Sequence, residues 1–116
     1  MTIALIIFGS LLSFAAIGSA IAKLNKVPDV MASMEKVGVK PNQIPFLAFL
    51  EIAGGLGVIL GIWLPTLGLV SSAALVLYFV GALFSHFSRG HKPADFGAAL
   101  GIFVIATITT LLQLQR

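Results

Sequence analysis

Apolar and polar residues separate along this chain into four long apolar blocks and three connections. Thr2–Ala22 carries no charge. Ile44–Leu64 carries one, Glu51. Leu67–Phe87 has none apart from the titratable His86, and Phe96–Leu114 has none. A helix of about 20 residues crosses a hydrocarbon core about 30 Å thick, and each block has about that length. In lipid, backbone groups must be satisfied within their own segment, so each block is expected to be helical. The pattern predicts an all-α membrane protein, an antiparallel four-transmembrane-helix bundle with helices at about 2–22, 44–64, 67–87 and 96–114 in a single domain spanning 1–116. Gly18-Ser19-Ala20 would suit a signal-peptide cleavage site, but the charged leader such a peptide needs is missing, so the first block is expected to be retained as a helix.

The connections differ. Pro65 and Thr66 alone join the second and third blocks, which predicts a tight hairpin. Residues 88–95 join the third and fourth. The stretch Lys23–Gln43 is longer and polar. Within it Pro28 suits a first helical turn and Gly38 a helix end. Val30, Met31, Met34 and Val37 would then share one face, as in a short amphipathic helix lying at the membrane interface. An irregular loop is the alternative.

Composition agrees with this picture. The chain is 59% hydrophobic and 9% charged, against about 25% charged in a soluble domain. It has no cysteine, which excludes disulfides, thiolate metal sites and a dithiol redox centre within the protein. The net charge is +3, without the aromatic-interleaved basic tracts or zinc spacings of a nucleic-acid binder. Instead the charges are lopsided. Lys23, Lys26, Lys36, Lys40, Arg89 and Lys92 fall on one side of the expected membrane, and only Arg116 and the N-terminal amine on the other. The positive-inside rule then places the two polar connections in the cytoplasm and both termini outside, in a plasma (inner) membrane.

Small residues recur at helical spacing: Gly57 with Gly61, Gly97 with Gly101, Gly81 with Ser85, and Gly18 with Ala22. Such pairs let helices approach closely. They are expected inside the bundle, with an oligomer interface as the alternative.

Glu51 carries the most information. It lies about 10 Å below the membrane surface at 1.5 Å per residue, where a carboxylate costs several kcal/mol unless partnered, protonated or near water. Its neighbours Ala48, Gly54 and Gly55 leave room for another helix, so it should face the interior. Threading brings Lys23, Glu51, His86 and Asp95 to one end of the bundle. Tyr78, Ala82, Ser85 and His86 form one stripe of the third helix. Two readings of each residue stand side by side. Glu51 is half of a structural ion pair or a functional carboxylate. Lys23 is an interfacial charge or a ligand contact, His86 a helix-end histidine or a proton exchanger, and Tyr78 a core residue or a hydrogen-bond donor. Asp95 is a helix cap or a site residue.

Lys23-Leu24, the stretch Glu51-Ile52-Ala53-Gly54-Gly55-Leu56-Gly57, Gly61-Ile62-Trp63-Leu64-Pro65, and Gly81-Ala82 with His86 carry a resemblance that runs over nearly the whole chain. In their order and spacing the sequence resembles the DoxX-like family of small four-helix membrane proteins. The resemblance implies a fold more than an activity. It associates the chain with quinone-linked oxidation of sulfur compounds, with membrane oxidoreductase complexes, and with receptor chaperoning. It maps the family's Lys, Glu and His positions onto Lys23, Glu51 and His86.

Two functions fit. The preferred one is a non-enzymatic subunit or accessory protein, embedded in the bilayer and joined to copies of itself or to a larger membrane complex. The other is a pocket for a quinone or another lipophilic molecule. There Glu51 and His86 would exchange protons, with Lys23, Tyr78, Ser85 and Asp95 as ligand contacts. No cofactor is evident from the residues themselves, and whether the pocket would be catalytic is open. A transporter fits least. The outer half offers only hydroxyls such as Ser10, Ser71, Ser72, Thr107 and Thr110 for a polar path.

Overall fold

The computed structural model describes residues 2–36, 38–88 and 93–115. Among them there is no strand. Five α-helices follow in order: α1 (Thr2–Leu24), α2 (Pro28–Lys36), α3 (Ile44–Leu60), α4 (Pro65–Ser88) and α5 (Pro93–Leu114), with a 3₁₀ turn at Pro41–Gln43 before α3.

The helix ends follow from local chemistry. α1 stops where Lys26 adopts a left-handed φ of 54°. The Val27 amide then donates to the Ala22 carbonyl and the Lys26 amide to the Lys23 carbonyl, both at 3.2 Å. This paired closure usually takes glycine at the left-handed position. α2 starts on Pro28, pre-set for a first turn, with Asp29 facing the positive end of the helix dipole. It closes in the same way, with Gly38 at φ 79° and the amides of Gly38 and Val39 donating to Glu35 and Met34. The polar connection therefore contains the expected short helix and not an irregular loop.

The tight hairpin differs in register from the expectation. α3 ends at Leu60, and Gly61–Leu64 makes the turn, so Pro65 begins α4 where it was expected to link. Proline disfavours helical geometry in the residue before it and suits the first helical position.

Each of α1, α3, α4 and α5 packs on two of the others, α1 against α3 and α5, and α4 against α3 and α5. Contacts between α3 and α4 join late residues of one to early residues of the other. A Cβ on Gly61 would run into the Gly68 backbone, one on Gly57 into Ser71, and one on Gly54 would come to 2.7 Å from Leu75. The α1–α3 seam is equally close. Ser13 donates to the Gly55 carbonyl at 2.9 Å, and a Cβ on Gly55 would lie 2.8 Å from Ile17. The α3 glycines thus seat neighbouring helices.

Gly18, Gly81, Gly97 and Gly101 correct the packing expectation. Among the described residues, a Cβ on any of them would meet nothing within 4 Å. Helical spacing marks a shared face without saying what that face meets, and at these four positions no described residue comes into close contact.

Polarity is inverted relative to a soluble fold. Phe14, Leu77, Phe84 and Trp63 are each more than 70% exposed, while Lys23, Glu51, His86, Thr109 and Gln113 are buried. Three helical stretches, Ile3–Leu24, Pro41–Leu60 and Pro65–Phe87, are long and apolar enough to cross a membrane, and Ala99–Leu114 is a shorter apolar helix. The longest dimension is 39 Å, enough for a hydrocarbon core of about 30 Å.

Candidate functional site

Lys23 lies in the last turn of α1, Glu51 lies midway along α3, and Tyr78 sits in the second half of α4. Contact between the helices brings the three together. The Lys23 ammonium forms an ion pair with Glu51 Oε1. Tyr78 donates its hydroxyl proton to the same oxygen at 3.2 Å. Lys23 also donates to Ser19 Oγ, one turn back on α1, at 3.0 Å, and lies 5.9 Å from the centre of the Tyr78 ring. At that distance the ring's negative face attracts the cation.

Glu51 is 0% exposed and Lys23 5%. Either charge alone would be strongly unfavourable in this setting, and together they offset most of that cost. Ala48 and Gly55, both buried on α3, are small enough to let α1 come this close. Both of the carboxylate's bonds converge on Oε1. Its Oε2 has no partner among the described residues.

A partly open cavity of about 590 Å³ borders this cluster, within the range of about 300–1,000 Å³ usual for small-molecule sites. Lys23, Tyr78, Ser85 and His86 form its polar wall, and Leu47, Phe79 and Ile102 are among its apolar lining. The stripe Tyr78, Ala82, Ser85 and His86 lines it as the spacing on α4 predicts. Gly81 and Gly97 line it too, which explains why a Cβ there would find open space. α2 covers one side with Asp29, Val30 and Met34.

Two of the expected site residues are absent from the described lining. Glu51 does not line the cavity. It is sealed off, bonded to Lys23 and Tyr78, which do. The side chain of Asp95 lies outside the described residues, as do Arg89 and Lys92. Two polar lining residues were missed. Ser19 was legible, because it stands four residues before Lys23 on the same helical face. Asp29 was hidden by its position in a first helical turn, where an acid needs no further explanation.

The cluster offers a donor and an acceptor together. An ammonium has three protons to donate, and two of those on Lys23 are committed to Glu51 and Ser19. The Tyr78 oxygen, having donated its proton, still has lone pairs. His86, buried at 4% exposure, adds a group able to give or take a proton. In the other half of the bundle several hydroxyls donate to carbonyls of their own helices. Ser72 donates to the Gly68 carbonyl at 2.8 Å, and Thr107 and Thr110 donate to Phe103 and Ala106 at 2.9 Å. These hydroxyls do not form a polar path.

Large apolar side chains outside, a buried Lys23–Glu51 ion pair inside and three helices of membrane length define a small integral membrane protein. The sequence pattern of the DoxX-like family matches residues 7–110, and the chain belongs to that family. No significant match was found among curated proteins or solved structures.

Proposed function

We propose that this protein is an antiparallel bundle of four transmembrane helices whose cavity binds a lipophilic small molecule by a polar head. One observation carries the reading. A cavity of ligand size is lined by the polar side chains of Lys23, Tyr78, Ser85 and His86 together with apolar ones such as Leu47, Phe79 and Ile102. A residue set needed only to close an ion pair would pack without such a space. The cavity therefore favours the pocket over the accessory role preferred from sequence.

A quinone fits the donor set. Lys23 would donate to a carbonyl, Tyr78 and His86 would contact the head, and the apolar wall would take the ring and tail. When bound, a quinone supplies the capacity to carry electrons and protons. The chain's own residues hold and orient the head and exclude water from it. Glu51 fixes the Lys23 ammonium and the Tyr78 hydroxyl in place. On the charge asymmetry, the polar connections face the cytoplasm of a plasma (inner) membrane, both termini lie outside, and α2 rests at the cytoplasmic interface.

The accessory reading stands second, favoured by Gly18 and Gly101. Both are exposed on helices that pack together, and both have open space before them. A helix of a second copy or of a larger complex could seat there. Adding a decyl-substituted benzoquinone to the protein in a nonionic detergent tests the first reading. Binding should raise the thermal midpoint with concentration, and Ala82→Phe, which fills the cavity, should abolish the rise. A midpoint unmoved at saturating quinone contradicts the quinone assignment.

A further inference from the structure

We propose that this cavity, on the reading that it binds a lipophile, selects an uncharged polar head over an anionic one, and that Glu51 sets this choice without touching the ligand. A lysine in an apolar cavity would ordinarily attract a fatty acid or a lipid phosphate. Here the ammonium is already matched at contact distance by Glu51, which is fully buried. The described lining adds a second carboxylate, Asp29 on α2. Taken with Glu51 behind the wall, the carboxylates outnumber the single ammonium among the described residues around the cavity.

An anion entering this space loses its hydration and gains no net attraction in return. A carbonyl or hydroxyl head brings no charge. Either head can accept a hydrogen bond from the remaining Lys23 N–H, and a hydroxyl can also donate to the Tyr78 oxygen. The Lys23 charge is thus converted by its partner from an anion site into a hydrogen-bond donor. Glu51 is a positioning and selectivity residue, because it acts through Lys23.

The test uses the full chain in nonionic detergent with two probes sharing one tail, 1-hexadecanol and hexadecyl sulfate, and native mass spectrometry to read occupancy. Wild type should prefer the alcohol by about tenfold or more, since a contact charge pair at intermediate dielectric exceeds that factor. Glu51→Gln keeps the shape and an acceptor for Tyr78 but uncovers Lys23, so the preference should reverse. Lys23→Gln with Glu51→Gln should restore preference for the alcohol. Sulfate occupying wild type as well as the alcohol overturns the selectivity and leaves the pocket intact. Occupancy by neither probe overturns the pocket itself, and the selectivity with it. Should Glu51→Gln fail to fold, Asp29→Asn on the exposed α2 position must raise the sulfate share by about threefold, and an unchanged ratio overturns the proposal.

Discussion

Lys23 in the last turn of α1 and Glu51 midway along α3 meet as a buried ion pair, with the carboxylate oxygen that binds Lys23 also accepting the Tyr78 hydroxyl hydrogen bond. This pair fastens α1 to α3 at the rim of the cavity, so its removal should register in both stability and binding.

Breaking one half of the pair strands the other. Lys23→Met or Glu51→Leu alone should each destabilise the protein by about 3 kcal/mol or more, because a lone buried charge is left behind. The double variant should recover much of that loss. Tyr78→Phe, which removes a bond to a charged acceptor, should cost about 1.5 kcal/mol. Unfolding of the variants in mixed micelles measures all of these. A double variant as unstable as the sum of the singles would show that the two charges are not coupled.

The glycines separate into two groups by what lies in front of them. Gly61→Ala places a methyl against the Gly68 backbone and should be clearly destabilising. Gly101→Ala and Gly18→Ala enter open space within the chain, and better helix propensity should stabilise them by up to about 1 kcal/mol. If Gly101 or Gly18 instead seats a helix of another copy, the alanine variant should lose a dimer band on cross-linking while the isolated chain stays stable. Identical behaviour of Gly61→Ala and Gly101→Ala would contradict the packing described for α3 and α4.

Orientation rests on charge. Single cysteines replacing Glu35 and Gln115, both exposed, report it directly in a chain without native cysteine. In intact cells an impermeant thiol reagent should label the cysteine at Gln115 and spare the one at Glu35. The reverse labelling would invert the topology.

The helices and the site were not equally legible in the sequence. Four apolar blocks are a strong signal, because lipid imposes both length and backbone closure on them, and α1, α4 and α5 extend slightly beyond their expected ends. One charge in an apolar block marks Glu51, and simple threading brings Lys23 and His86 to its end of the bundle. What threading cannot supply is the angle around each helix. That angle decides that Glu51 sits behind Lys23 and Tyr78, that Asp29 faces the cavity, and that Gly81 and Gly97 border open space while Gly57 and Gly61 meet α4. The left-handed turn at Lys26 gave no signal, because it occupies a position where glycine is the usual mark.

The cavity is the centre of the account, and Gly81 gives the cleanest access to it. A side chain there enters the open space and meets no atom of the described residues within 4 Å at its first carbon, so Gly81→Leu should fill the cavity without disturbing the helices. Native mass spectrometry of wild type and Gly81→Leu, each extracted from the same membranes in nonionic detergent, tests the claim directly. Wild type should carry a lipophilic molecule lost on activation in the gas phase, and Gly81→Leu should be empty at an unchanged thermal midpoint. A wild type without any such molecule, or a Gly81→Leu protein carrying it at equal occupancy, would contradict the account.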